Sequence, residues 1–241
     1  MSLVTSARSL RAGAWAATIA LVGAMACVPP RALPLSGMPT TMHLPSATLH
    51  PGHERLVYRW RYHDQDVDAM GDGSARLAAP DSARLDFVVD HGMGGGYALL
   101  FGDTLVAPAT GTFRRYLPPV PLLWAGVGRL AVPPALDTVV RLDGDTLRAD
   151  IGASAAQAAM ARGGKSGPVW RVAFVAGQLV GLARLTGGRV RELVMRKPET
   201  EGSGDGEVRY EALGGRRTLT LTRVRSEAVP GFDAAIWHRR R

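Results

Sequence analysis

Along much of this chain apolar side chains recur at every second position, and the runs that carry them are short. Leu56, Tyr58, Trp60 and Tyr62 fall on one side of residues 55–63, and Arg55, Arg59, Arg61 and His63 on the other. Leu85, Phe87 and Val89 alternate in the same way with Arg84, Asp86 and Val88. A period of two is the pattern of a strand with one buried face. Further strands are predicted at 74–79, 97–101, 104–107, 146–151, 169–175, 179–185, 190–196, 207–213 and 218–225, with 113–117 as one more short candidate. Turn signals separate them at Pro80-Asp81, Gly102-Asp103, Gly177, Gly187-Gly188, 202–206 and Gly214-Gly215. Asp64–Gly73 and the cluster Gly92–Gly96 read as polar or flexible turns; the cluster alternatively allows a close backbone approach to a ligand. Short strands with glycine turns describe an antiparallel meander.

One stretch breaks the alternation. In 118–130, Val120, Leu122, Leu123, Trp124, Ala125, Val127 and Leu130 are apolar without a period of two. A short buried helix started by proline fits them, with a second helical turn at 135–140. Residues 153–162 are alanine-rich and suit either a helix or a loop. Strands, then helices, then strands place helices on one face of an antiparallel sheet, and a large sheet curls as it twists. The expected fold is mainly β, of the α+β class: a curved antiparallel sheet or unclosed β-barrel of about eleven strands, covered by one or two short helices.

The N-terminal residues have a different character. Arg8 and Arg11 are the only charges in residues 1–26, and an apolar run from Ala12 to Ala26 follows, broken only by Thr18. That is the form of a secretory signal, and it is short for a transmembrane helix, which needs about 20 apolar residues. The run ends in Leu21-Val22-Gly23-Ala24-Met25-Ala26, directly before Cys27, the only cysteine. This resembles a lipobox, with Ala24 in place of the favoured leucine, and it implies acylation of Cys27. The alternative is an ordinary cleaved signal with Ala24 and Ala26 at the recognition site. One cysteine makes no internal disulfide. Val28 follows, not the aspartate that retains lipoproteins at an inner membrane, so the periplasmic face of the outer membrane is expected. The segments are then 1–26, signal peptide; 27–54, acylated cysteine and a tether rich in proline; 55–238, one folded domain; and 239–241, a basic tail.

The net charge is +8, from 29 basic and 21 acidic residues, and Lys165 and Lys197 are the only lysines. An excess of arginine suits either anionic lipid headgroups or simply a solvated basic face. An exported chain is a poor candidate for nucleic acid. Catalytic and metal motifs fail on inspection. Gly163-Gly164-Lys165-Ser166 resembles the end of a phosphate-binding loop, but the required first glycine is Ala159. Asp64-x-Asp66-x-Asp68 resembles a calcium loop, but Ala69 and Ala75 stand where Gly and Glu are needed. No serine sits in a nucleophile elbow, and the histidines, including His50-x-x-His53, form no ligand set. No catalytic residue, metal or cofactor is expected, and the chain reads as a non-enzyme.

The apolar set Tyr58, Trp60, Leu85, Phe87, Leu99, Phe101, Leu122, Leu123, Trp124, Trp170, Phe174 and Leu182 is the candidate lining of a groove between sheet and helix; the alternative is that these residues simply fill the core. The order of parts resembles the LolA/LolB-like family of lipoprotein carriers and receptors. The residues that carry the resemblance are Tyr58-Arg59-Trp60, the run Gly73 to Phe87, the Gly102-Asp103 turn, Pro121-Leu122-Leu123-Trp124, and Gly188 to Glu192. It spans residues 54–238. It implies a half-barrel whose apolar concave side accepts acyl chains, and a membrane-anchored, monomeric receptor for acyl chains or lipoproteins. The family's own cavity residues have no one-to-one positions here, and 153–167 has no counterpart. The competing expectation is a structural or assembly lipoprotein with a filled core that binds protein partners.

Overall fold

A computed structural model describes residues 29–90, 94–108, 113–132, 137–164, 167–197 and 206–237. The leader, Cys27 and the basic tail lie outside them. Thirteen strands form one antiparallel sheet: β1 (Met38–Pro39), β2 (His53–His63), β3 (Asp68–Ala78), β4 (Ser82–Val89), β5 (Gly95–Phe101), β6 (Thr104–Val106), β7 (Thr138–Asp143), β8 (Thr146–Ile151), β9 (Val169–Val175), β10 (Gln178–Thr186), β11 (Arg189–Arg196), β12 (Glu207–Ala212) and β13 (Arg217–Val229). The spatial order is β1-β7-β8-β9-β10-β11-β12-β13-β2-β3-β4-β5-β6. Two meanders, β2 to β6 and β7 to β13, are joined side by side where β13 pairs with β2.

This topology leaves β6 and β7 far apart in the sheet although they are neighbours in sequence. Their connection must cross from one half to the other, and it does so over the apolar face. It carries α1 (Phe113–Tyr116) and α2 (Val120–Gly126), with Pro121 in the first turn of α2. The α2 helix packs on β10, β11 and β12, and from there the Trp124 indole N–H donates to the Gly102 carbonyl in the β5–β6 turn (2.6 Å). A seven-residue helix touches both halves only because the sheet curls around it.

The inner face follows from register. Tyr58, Gly73, Phe87 and Gly96 stand in one row across β2, β3, β4 and β5, and Leu182, Val194, Tyr210 and Leu219 continue the same face across β10 to β13. The side chains of Tyr58, Phe87, Leu182, Val194, Tyr210 and Leu219 belong to one buried cluster that runs through both halves.

Several expectations change. Strand β3 begins at Asp68, six residues before the predicted Ser74, because Gly71 and Gly73 are strand residues. A Cβ on Gly73 would lie 2.2 Å from the Tyr58 ring, and one on Gly71 would lie 1.9 Å from the Val88 carbonyl oxygen. Gly73 makes room for a large ring on the next strand, and Gly71 for a close backbone approach. Residues 113–116 are helical, not a strand, and 138–143 form strand β7, not a helical turn. With β1 and β7 the strands number thirteen, against about eleven expected. Residues 153–161 do form a helix, α3 (Ala153–Ala161), whose first N–H groups are capped by the Asp137 carboxylate.

The proline-rich segment expected as a tether is extended, but from Pro29 onward it lies on the sheet. Arg189 and Arg171 donate to the carbonyls of Pro29 and Leu33, each at 2.7 Å. Met38–Pro39 pairs with β7, and Leu49 is buried in the core.

Candidate functional site

At the end of the sheet formed by the β2–β3 and β4–β5 connections, α1 does not fill the space beneath it. A cavity of about 190 Å³ remains there, lined mainly by Trp60, Tyr62, Val67, Phe87, Gly96, Phe113, Tyr116 and Leu219. Its walls are aromatic because the rows of the sheet deliver rings to this place. Phe87 stands edge-on to Tyr58 and Trp60, with centroids 5.7 and 5.9 Å apart. Phe113 closes on Phe87 from α1 at 5.5 Å, and Tyr116 meets Tyr62 at 4.7 Å. The polar tips of the rings turn outward from the cavity. Trp60 donates to the carbonyls of Asp72 (3.0 Å) and Val88 (3.2 Å), Tyr58 donates to the Asp86 carbonyl (3.0 Å), and Tyr62 donates to the Asp64 carboxylate (2.6 Å).

These hydrogen bonds set the local electrostatics. Burial holds the Tyr58 phenol well above its ordinary pKa, and burial followed by the hydrogen bond to Asp64 does the same for Tyr62. The Asp64 carboxyl is held below the usual carboxylate range, first by the Tyr62 hydroxyl and next by the Asp66 N–H. The lining itself therefore offers apolar surface and neutral rings, which suits a hydrocarbon and offers little to a charged ligand.

A polar cluster lies beside the cavity on the same face. Tyr210 donates to Glu192 (2.8 Å), Arg217 donates to the Tyr210 hydroxyl (2.9 Å), and Arg184 pairs with the other Glu192 oxygen (2.7 Å). Burial, then the Glu192 charge, pushes the Tyr210 pKa up. Arg217 also donates to the Arg115 carbonyl, which ties α1 to β13. A carboxylate so enclosed is neutralised by its partners and serves to fix them.

The predicted groove residues divide into four groups. Trp60 and Phe87 line the cavity under α1. Tyr58 and Leu85 line a smaller, half-polar hollow of about 110 Å³ beside α2. Leu122, Leu123, Trp124, Trp170, Phe174 and Leu182 are buried in the core, where α2 occupies the concave face as a plug. Leu99 and Phe101 face the other way. On β5 the inward positions are Ala98 and Leu100, opposite Leu85 and Ala83, while Leu99 stands opposite Arg84. Phe101 packs there on Trp237 of the C-terminal 3-10 turn, Ala234–Trp237 (6.1 Å).

Sequence reasoning missed Phe113, Tyr116, Val67 and Leu219. The one available signal was Gly95-Gly96, since a Cβ on Gly96 would lie 2.5 Å from the Phe113 ring. On the outer face, residues 31–35 and α3 enclose a wider hollow of about 700 Å³ with β7 to β10, and Arg31, Arg141, Asp150 and Arg171 stand among its apolar walls. Among the described residues there is no group of three His, Cys, Asp or Glu able to hold a metal ion, and no helix long and apolar enough to cross a membrane.

No protein-family model matches the sequence, and no curated protein matches it. Solved structures are similar in backbone arrangement. A LolA superfamily protein from Nitrosomonas europaea is 10% identical, covers 80% of this chain and 93% of its own, and has a TM-score of 0.47. A DUF1329 family protein from Desulfovibrio piger is 8% identical, covers 78% and 90%, and has a TM-score of 0.45. A domain described as an outer membrane lipoprotein-sorting protein, from Vibrio parahaemolyticus, is 6% identical, covers 77% and 89%, and has a TM-score of 0.45. Each likeness is one of backbone course, without residue-by-residue correspondence.

Proposed function

We propose that this chain is a lipid-anchored binding protein of the cell envelope that accepts an acyl chain, free or carried by a lipoprotein, in the cavity beneath α1. The anchor is the acylated Cys27, the location is the periplasmic face of the outer membrane, and the protein acts as a monomer without cofactor or catalysis. One observation carries the reading: a cavity walled by Trp60, Phe87, Phe113 and Leu219, whose neighbouring polar atoms are satisfied elsewhere. An apolar cavity of roughly 150 Å³ already admits a small hydrocarbon. The driving force is burial of apolar surface, at about 25 cal/mol per Å². A longer chain is admitted by displacement of α1, which has only four residues.

A second reading has its own observation. The concave face under α2 is filled, with Leu122 and Trp124 almost wholly inaccessible, as in an assembly protein that works through its surface. Strand addition at the sheet edges fits that reading poorly, because β1 and β6 have two and three residues and short edge strands resist pairing.

The test is mass spectrometry of the purified protein under non-denaturing conditions, before and after addition of palmitate or a diacylated lipopeptide. A stoichiometric adduct that is weakened by Phe113→Asp supports the acyl-chain reading. A bare mass that persists with added lipid sinks it and directs the search to protein partners.

A further inference from the structure

The two ends of the half-barrel differ in charge, and the N-terminal segment is fastened at one of them. At this end lie the β2–β3, β4–β5, β8–β9, β10–β11 and β12–β13 connections. Pro29 is buried against it. Its carbonyl accepts from Arg189 (2.7 Å), the Pro30 carbonyl accepts from Val190 N–H (3.2 Å), and Ala32 N–H donates to the Gly188 carbonyl (2.8 Å). Cys27 is only two residues before Pro29, so the chain's covalent reach holds their Cα atoms within about 7 Å of each other. A lipid on Cys27 is therefore confined to this end.

The same end is basic. Arg31, Arg114, Arg162 and Arg216 are exposed there and enter no ion pair among the described residues. Its acids are Asp64, engaged by the Tyr62 hydroxyl and by the N–H groups of Asp66 and Val67, Asp68, paired with Arg61, and Asp137, which caps α3, with Asp66 and Asp90. The opposite end differs in its turns. Its four short turns, 79–81, 102–103, 144–145 and 176–177, carry Asp81, Asp103 and Asp145 and no basic residue. Lys197, at the start of the longer connection on that side, is paired with Glu207 (3.3 Å). The cavity beneath α1 lies toward the basic end. Between it and the docked segment runs a notch formed by Tyr116, Arg115, Asp64, Gly214 and Arg217.

We infer that the basic end of the half-barrel is a docking surface for an anionic phospholipid bilayer: the domain sits directly on the membrane with its β10–β11 and β12–β13 turns at the headgroups and its cavity toward the lipid. This rests on the reading of Cys27 as the lipid-bearing residue. It replaces the image of a domain held away from the membrane by a proline-rich stalk, because the residues of that stalk are spent in contact with the sheet. Unpaired arginines at a headgroup layer gain from its negative surface potential.

The test uses the full chain, produced with its leader and reconstituted in phosphatidylethanolamine–phosphatidylglycerol vesicles. Gly215→Cys places a fluorophore at the basic end, where a side chain meets open space, and Asp145→Cys places one at the opposite end. A nitroxide quencher carried on lipid headgroups reads proximity, and intact mass reads acylation of Cys27. The expected result is loss of emission at position 215, none at 145, and weaker loss at 215 when Arg31→Glu and Arg216→Glu are combined. An acylated protein with neither position quenched stands off the membrane; this overturns the docking while leaving the anchor intact. Equal loss at both positions, or loss at 145 alone, overturns it as well. An unchanged response to the two charge reversals overturns the arginine contact. An intact mass without acyl chains on Cys27 overturns the anchor, and the docking with it.

Discussion

The ring of Phe113 lies directly over Gly96: a Cβ at position 96 would stand 2.5 Å from its Cγ and 2.6 Å from both Cδ atoms. The contact fixes α1 to β5 and sets the height of the cavity roof. Because the clash falls on the root of the ring, Gly96→Ala must move the whole side chain. A loss of about 1–3 kcal/mol is expected, the range for overpacking, read as a lower denaturant midpoint. Adding Phe113→Ala should restore part of it, and a double-mutant cycle measures the coupling. Additive effects would show that the two do not share this contact.

Trp124 is the centre of the plug. It is fully buried, donates to the Gly102 carbonyl, and stacks beneath the Arg129 guanidinium at 4.6 Å. Trp124→Ala should cost about 3–5 kcal/mol, whereas Trp124→Phe, which keeps most of the volume and loses the hydrogen bond, should cost about 1–2 kcal/mol. Thermal or urea unfolding distinguishes the two. A small effect of the alanine variant would mean that α2 is not what holds the sheet curled.

Arg84 is the guanidinium that the outer face buries. It is 4% exposed, grips Asp86 with two nitrogens at 2.8 and 2.9 Å, donates to the Ile236 carbonyl (2.6 Å) and lies over the Tyr97 ring. Asp86→Ala leaves it charged and enclosed, and a loss of about 3–5 kcal/mol is expected. Hydrogen exchange in 234–237 should quicken in Arg84→Met, since the Ile236 carbonyl then loses its donor. Unaltered exchange there would show that the C-terminal turn is held by Phe101 and Trp237 alone.

Tyr58, Tyr62 and Tyr210 all have pKa values raised on folding, in each case first by burial. A phenol whose folded pKa exceeds its unfolded value of about 10 contributes stability that is fully present below pH 10 and lost progressively above it. Stability should therefore fall on the alkaline side, and tyrosinate absorbance from these rings should appear together with unfolding. Ionisation of all five tyrosines in a still-folded protein, near pH 10, would contradict the geometry.

Legibility in the sequence followed burial. Strands β2, β9 and β12 bury one face only, so their period of two is plain, and they emerge within two residues of expectation. Strand β5 is covered on both faces, by the core at Ala98 and Leu100 and by the C-terminal turn at Phe101. Ala98-Leu99-Leu100-Phe101 has no phase to read, and Leu99 and Phe101 were assigned inward for that reason. Gly71 and Gly73 resembled a turn because glycine's usual meaning is a bend, and the reasons for them sit on the neighbouring strands, in the Tyr58 ring of β2 for Gly73 and the Val88 carbonyl of β4 for Gly71. Strand β7 is half-exposed throughout and shows no alternation. Phe113-Arg114-Arg115-Tyr116 is too short to display any period, so the roof of the cavity was the part least visible. The aromatic floor, Trp60 and Phe87, belongs to strands, whose period of two is visible in the sequence.

The pairing of β13 with β2 bears on how the molecule comes into being. Residues 217–229 complete a sheet begun at residues 53–63, across nearly the whole length of the domain. Contacts between such distant segments form late and slowly. Until the last long strand is present, β2 has a bare edge and the inner rings of the first meander have nothing on one flank. A chain built this way stays open while it is being made, until its C-terminal part arrives to close the sheet.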